Sequence, residues 1–244
     1  MTDAALFDAL DATWPAAATT TRGPWRLRKG EGGGKRVSAA SALTAQIGPS
    51  DIEVAEAEMR RMGQTPLFQI RDTDNALDQQ LETAGYQIID PVRILTAPVA
   101  QLAEIAPPPI TAFVLPEPLA IMYELWAEAG TGPERLAVMD RVIAPKTVVL
   151  GRISDRASGV AFAAIHGKTV FCHALEVISP LRRQGTATNM LRAAAIWAQQ
   201  NGAETFATLV LENNSAALAL YASLKFKDVG HYHYRIKPSA EERA

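Results

Sequence analysis

Leu175-Glu176-Val177-Ile178-Ser179-Pro180-Leu181-Arg182-Arg183-Gln184-Gly185-Thr186-Ala187 decides how this chain is read. An apolar run ends at Ser179-Pro180, a basic turn from Arg182 to Ala187 follows, and a helical pattern runs from Thr188 to Gln200. A strand, a glycine turn and a helix start, in that order, make an anion site. The first amides of a helix have no partner within it, and its dipole favours negative charge there. Gly185 has no Cβ and lets the backbone approach a phosphate, while Arg182 and Arg183 add fixed positive charge. The residues alone predict a pyrophosphate cradle.

Arg182-x-x-Gly185-x-Ala187 resembles the Q/R-x-x-G-x-G/A signature of the GNAT acetyltransferases, which bind acetyl-CoA. Asn214-x-x-Ala217-x-x-Leu220-Tyr221, followed by Phe226, resembles that family's second helix, N-x-x-A-x-x-L-Y-x-x-x-G-F. Lys225 departs from the pattern, standing where the family has glycine. The order strand, basic loop, helix, strand, helix, strand agrees as well, and the resemblance covers residues 118–237. It implies an α/β (α+β) GNAT fold with a mixed sheet and acetyl-CoA as cosubstrate. Cofactor contacts are expected from Val177, Ile178, Ser179, Arg182, Arg183, Gln184, Gly185, Thr186 and Ala187. Asn214 binds cofactor or caps its helix. The strand 171–178 is expected to splay from its neighbour, freeing main-chain groups for the cofactor's amides.

Acetyl transfer from a thioester needs a held cofactor, a neutral amine and a protonated leaving thiolate. By resemblance Tyr221 is the candidate general acid, near the cofactor sulfur. A phenol of pKa about 10 gives its proton to a thiol of pKa about 8.5 only with geometric help, so hydrogen bonding is the alternative role. Glu176 is the candidate general base, a carboxylate in an otherwise apolar strand where burial would raise its pKa. A structural ion pair is the competing account of Glu176. His173, three residues earlier, is expected on the opposite face by strand alternation and is a second choice. His231 and His233 alternate on the last strand, but no third ligand is evident, so no metal is expected.

The 244 residues are 48% hydrophobic and 20% charged with a net charge of -2, enough for one large or two small domains. Near-neutral charge argues against a nucleic-acid partner. No apolar run approaches the roughly 20 residues that span a bilayer, and the start lacks the basic and apolar regions of a signal peptide. Cys172 is the single cysteine and sits in an apolar run, which suggests a buried structural thiol and a reducing, cytoplasmic setting. A homodimer is compatible with this composition.

The first half resembles a worn copy of the second. A shift of about 140 positions lays Ala76-Leu77…Leu81…Gly85-Tyr86 on Ala216-Ala217…Tyr221…Lys225-Phe226. The copy has Leu81 in place of Tyr221 and no basic glycine loop before Ser50, so one CoA site per chain is expected. Gly30 to Lys35 is not a nucleotide P-loop, because Lys29 replaces its first glycine and Arg36 its hydroxyl residue. Helices are expected at residues 4–13, at 51–62 with Ser50 as cap, and at 74–84, 119–129 and 134–143. Residues 16–23 read as a loop and 37–43 as a strand. The proline-rich stretch 97–118 reads as a stiff linker, dividing the chain into a degenerate half, 1–105, and a catalytic domain, 106–244. The tail 238–244 is charged and expected to be loose.

Three functions follow from the resemblance. The leading one is an N-acetyltransferase acting on a primary amine of a small molecule, an amino acid or a peptide. The second is a non-catalytic acyl-CoA-binding module. The third is transfer of a longer acyl or an aminoacyl group.

Overall fold

The computed structural model describes residues 3–237, so the charged tail 238–244 lies outside the described residues. The chain opens with helix α1 (Asp3–Thr13), the hairpin β1 (Ala18–Arg22) and β2 (Trp25–Lys29), a 3-10 turn (Lys35–Val37) and β3 (Ser41–Ala42). Helix α2 (Pro49–Arg61), β4 (Leu67–Arg71), α3 (Asn75–Thr83) and β5 (Gln87–Pro98) follow. Next come α4 (Val99–Ala103), β6 (Ala112–Leu115), α5 (Ala120–Glu128) and α6 (Pro133–Asp140). The strands β7 (Lys146–Ile153), β8 (Arg156–His166) and β9 (Thr169–Val177) form a meander, and α7 (Thr186–Gln200), β10 (Thr205–Leu211), α8 (Ser215–Ser223) and β11 (Lys227–Ile236) complete the chain.

Two compact units share these elements, and a single cut near residue 105 does not separate them. One unit takes the chain up to Pro15 together with Ile94–Val210 and Asn214–Val229; the other takes Ala16–Arg93, Leu211–Asn213 and the chain from Gly230. Helix α1 thus joins the unit of the basic loop. Strands β5 and β11 each begin in one unit and end in the other.

In the first unit the strand order is β5-β10-β9-β8-β7-β6. Strands β6 to β9 pair antiparallel, and β9 pairs parallel with β10. Helix α7 presses a face of Met190, Leu191, Ala194, Ala195 and Ala198 onto Ala161, Ala163 and Cys172 of the sheet. The small alanines bring its axis close. The opposite face is covered by α1 and α5. Trp14, just past the end of α1, has its ring 4.9 Å from the His173 ring and 6.2 Å from Phe162. Burying an aromatic of this size contributes about 2–3 kcal/mol.

The second unit is built on Trp25, Phe68, Ile70, Leu77, Leu81 and Tyr86. Its helix α3 and the first unit's helix α8 have nine residues each and end in the same turn. Tyr86 N–H donates to Leu81 O at 2.9 Å and Phe226 N–H donates to Tyr221 O at 3.0 Å. Gly85 at φ 83 and Lys225 at φ 60 hold the same left-handed position. Lys225 therefore keeps the backbone its family glycine would have, at a cost of roughly 1–2 kcal/mol.

Four local expectations change. Residues 18–22 form a strand because their β-branched threonines pair with β2, from Ala18–Lys29 to Arg22–Trp25. Residues 37–43 form a strand only at Ser41 and Ala42, with Ala40 making a single bridge to Phe68 and the rest turn or irregular. The stretch 97–118 is no linker. Val99 and Leu102 of α4 are buried, and Val99 N–H donates to Glu204 O at 2.9 Å. Helix α2 starts at Pro49, and its cap is Gly48, whose N–H donates to the Asp51 carboxylate at 2.8 Å.

Strand β11 is fastened within the second unit by buried charge. Arg235, with a side chain only 4% exposed, donates to both oxygens of Asp78 at 2.7 and 3.0 Å and to Tyr86 O at 3.0 Å. Glu56 accepts from Tyr86 Oη at 2.5 Å, Arg60 at 2.7 Å and Lys237 at 2.9 Å. Burial alone would raise the Glu56 pKa, but these hydrogen bonds outweigh it and hold the carboxyl at about 2. The folded pKa is below the ordinary 4.5, so the stabilisation is complete above 4.5 and drains as pH falls toward 2. Glu56→Gln should therefore cost about 2 kcal/mol at pH 7. Urea unfolding should show the gap from wild type narrowing at about pH 3.

Candidate active site

The site begins where two strands part. The parallel pairing of β9 with β10 runs from Thr169–Thr205 to Cys172–Thr208 and stops there, although β9 continues to Val177 and β10 to Leu211. The main chain of β9 beyond Cys172 faces open space on that side. Ile178 N–H donates to Ser158 O at 3.0 Å, toward β8. By alternation the main-chain groups of Val177 and Leu175 point the other way, into the opening. Leu175 joins the wall without having been singled out from the sequence. Ile178 leaves it, because its amide is already engaged.

The opening is a cleft of about 460 Å³ lined by Leu175, Glu176 and Val177 on β9, by Arg182, Arg183 and Gly185 to Thr188, and by α8 from Asn214 to Ser223. Gln184 is not part of its lining. Gly185 takes φ 87 as the cap of α7 and offers no side-chain acceptor to the helix. The first helical bond runs from Asn189 N–H to Gly185 O, so the amides of Thr186, Ala187 and Thr188 precede it. An added Cβ on Gly185 meets nothing within 4 Å, so the space over these amides is open. Arg183, also left-handed at φ 64, turns the loop. Arg182 ties the loop back, its Nε donating to Val177 O at 2.9 Å.

Helix α7 reaches this position because β7 and β8 carry glycines beneath it. A Cβ on Gly151 would lie 2.6 Å from Thr186 Cγ2, and one on Gly159 would lie 2.7 Å from Glu176 O and 2.9 Å from Met190 Cε. The buried hydroxyls of Ser158 and Thr186 meet at 3.3 Å and pin the first turn.

Tyr221 is buried at the apex of the opening rather than on its wall. Thr208, the last paired residue of β10, donates to Tyr221 Oη at 3.3 Å. Burial raises the phenol pKa, with the neighbouring Cys172 and Glu176 adding to the rise, so Tyr221 stays protonated at neutral pH. Cys172 is buried and its thiol is pushed up to about 12, which makes it structural and unreactive. Asn214 caps α8, its Oδ1 accepting from Ala217 N–H at 3.0 Å, and also lines the cleft.

Glu176 borders two cavities. With Val177 and Arg182 it lines both the main cleft and a smaller one of about 70 Å³ formed by Leu125, Glu128 and Ala129 of α5 with Ile178 and Ser179. Burial raises its pKa, against the pull of Arg182 and Arg135. His173 is not its opposite. Val160 pairs with Glu176 and Phe162 with His173, so one extra residue of β9 bulges between them and both side chains fall on one face. His173 is buried against Trp14, and its Nε2 lies 3.0 Å from Thr13 Oγ1. His233 lies 2.8 Å from Asp78 Oδ1, in the cluster that holds Arg235.

A GNAT fold with a parted β9–β10 pair, a basic glycine turn and a helix tyrosine at the apex defines an acetyltransferase of this superfamily. Over residues 4–236 the chain matches the family described as "Probable histone acetyltransferase Rv0428c C-terminal", and it belongs to that family. It is 27% identical over 239 residues to the uncharacterized N-acetyltransferase YobR of Bacillus subtilis (strain 168), covering 93% of this chain and 95% of that one. Among solved structures, a GCN5-related N-acetyltransferase from Kribbella flavida superposes with TM-score 0.71 at 18% identity, over 98% of this chain and 96% of that one. A tandem GNAT protein from the clavulanic acid biosynthesis pathway superposes with TM-score 0.61 at 12% identity, over 93% and 86%. Among the described residues no helix is long and apolar enough to cross a membrane.

Gly159→Ala tests the packing beneath α7. The new methyl must displace the β9 main chain or Met190, and overpacking of this kind costs about 1–3 kcal/mol. Chemical denaturation should report that loss, and the cradle should shift in a crystal structure of the variant.

Proposed function

We propose that this chain transfers the acetyl group of acetyl-CoA to a primary amine of a small molecule, an amino acid or a peptide, by direct attack on the thioester. The observation that carries this is the opening between β9 and β10, which extends from the uncapped start of α7 to the buried phenol of Tyr221. Acetyl-CoA fits such a site. The amides of Thr186 to Thr188, with Arg182 and Arg183, would hold its pyrophosphate, and the main chain of Leu175 and the N–H of Val177 would pair with its pantetheine amides, the Val177 carbonyl being held by Arg182. When bound it supplies the activated acetyl carbon.

The chain's own groups manage the protons. Glu176, raised in pKa and bordering the smaller cavity on the α5 side, which we assign to the acceptor amine, accepts the proton shed as the amine nitrogen bonds to the acetyl carbon. Tyr221 donates a hydrogen bond to the sulfur as the carbon–sulfur bond breaks. Its high pKa makes that bond, rather than full proton transfer, its main contribution, and the departing thiolate takes its proton from solvent as it leaves the cleft. Because Glu176 acts as carboxylate, turnover should rise with pH through its raised pKa, and Glu176→Gln should abolish that rise.

We infer that the second unit holds no CoA. The Asp51 carboxylate occupies the start of α2, where a phosphate would sit, and Leu81 replaces the phenol. Calorimetry should show one equivalent of acetyl-CoA per chain. A folded Gly185→Val variant should lose about tenfold or more in affinity, because valine cannot hold φ 87 without strain and would cover the amides. Affinity unchanged in that variant would place the cofactor elsewhere.

Tyr221→Phe separates enzyme from binding module. With an acceptor drawn from a panel of amines, free-thiol release should fall roughly tenfold to a thousandfold, the range for a fixed donor that stabilises charge developing on the leaving group. Acetyl-CoA affinity should barely change, since a neutral hydrogen bond contributes about 1 kcal/mol. No thiol release by the wild type with any amine would favour an acyl-CoA-binding module instead.

A further inference from the structure

Ala174 holds φ 46, a left-handed backbone that side chains with a Cβ resist. It lies where β9 slips against β8. Ala174 and Leu175 together oppose the single residue Ala161. One inserted residue reverses every later side chain. A regular strand leading on from His173 would send Glu176 toward α7 and Leu175 and Val177 toward α5. The bulge does the reverse. Leu175 and Val177 pack into the α7 core, and Glu176 joins Leu125 and Glu128 of α5 around the smaller cavity.

Something must hold a backbone that neither alternation nor alanine favours. A bulge also leaves main-chain groups without a ladder partner, and a buried carbonyl needs one. Trp126 of α5 supplies it. Its ring is fully buried, and Nε1 donates to Ala174 O at 2.9 Å. Its neighbour Leu125 lines the smaller cavity, so the helix that borders the acceptor side also fixes the strand that carries the base.

We propose that Trp126 is a positioning residue, whose indole N–H locks the Ala174 bulge and so keeps Glu176 on the acceptor-side face. This rests on the base role of Glu176 proposed above. The Trp126–Ala174 bond is separable from the cofactor cradle, which lies further along the chain at 182–188.

The test replaces Trp126 with 3-benzothienylalanine, which keeps the ring's shape and removes the donor; Trp126→Phe is the simpler companion. In ligand-free protein, hydrogen exchange of the amides at 173–177 should accelerate about tenfold or more, since local opening loses a main-chain restraint. Acetyl-CoA affinity by calorimetry should fall by a smaller factor than turnover, because the phosphate cradle at 182–188 is untouched and only the pantetheine wall at Leu175 and Val177 loosens. Turnover at saturating acetyl-CoA should fall about tenfold or more, with the acid limb of the pH profile moved upward as Glu176 turns toward the apolar face. Adding Ala174→Gly should restore much of the rate, because glycine holds φ 46 without help. Exchange and pH profile both unchanged in the folded variant would overturn the proposal. So would a rate loss that Ala174→Gly leaves uncorrected, which would mark Trp126 as packing only. If Glu176→Gln keeps the acid limb in an otherwise wild-type chain, it is the base role that fails, and the exchange rates still decide whether Trp126 holds the bulge.

Discussion

Everything at this site depends on one constraint: a strand inside a sheet has given up its neighbour. Beyond Cys172 the main chain of β9 has no partner in β10, and an unsatisfied edge within a folded unit is expensive. The structure tolerates the edge because it is short and because both strands are held firmly on their other sides. Strand β8 pairs with β9 up to Gly159–Val177, Ser158 accepts from Ile178, and Arg182 caps the end at Val177 O. The free edge is thereby held from the side of β8 and at its end.

The same economy shapes the two ends of the opening. At one end α7 begins without a side-chain cap, and its orphan amides look into solvent. At the other, Tyr221 is sealed among Cys172, Phe226 and Thr208, where the phenol cannot ionise at neutral pH. An anion is welcome at the first end and a neutral donor is fixed at the second. The glycines at 151 and 159 couple the ends, since α7 could not sit so low on the sheet if either carried a side chain.

The second unit repeats the end of this architecture with other residues. Helix α3 ends in the turn that ends α8, down to the left-handed residue and the buried aromatic after it. Yet its helix α2 is capped by its own carboxylate, and Leu81 fills the place of the phenol. What it gained is charge. Glu56, Asp78, Arg235 and Lys237 clamp the final strand, so the chain's last strand is part of this unit's stability.

How far the sequence reaches can be judged residue by residue. The strand, basic turn and helix start of the candidate phosphate site were legible because they are contiguous, and local physics sets their geometry. The α8 motif was legible for the same reason, and Lys225 kept its turn because the left-handed position is fixed by the helix end before it. Strands 18–22 and 112–115 were hidden, since each is short and takes its stability from a partner strand elsewhere in the chain. The linker at 97–118 was misjudged because its prolines mark local stiffness, while Val99 and Leu102 are ordered by a distant core. The face of Glu176 was also beyond the sequence. Alternation from His173 places it wrongly, because β9 bulges at Ala174, where the carbonyl accepts from Trp126, 48 residues earlier in the chain. The sequence by itself determined which groups could bind phosphate and manage protons. Tertiary structure decided which way they face, because a strand's register is set by its neighbours and not by its own residues.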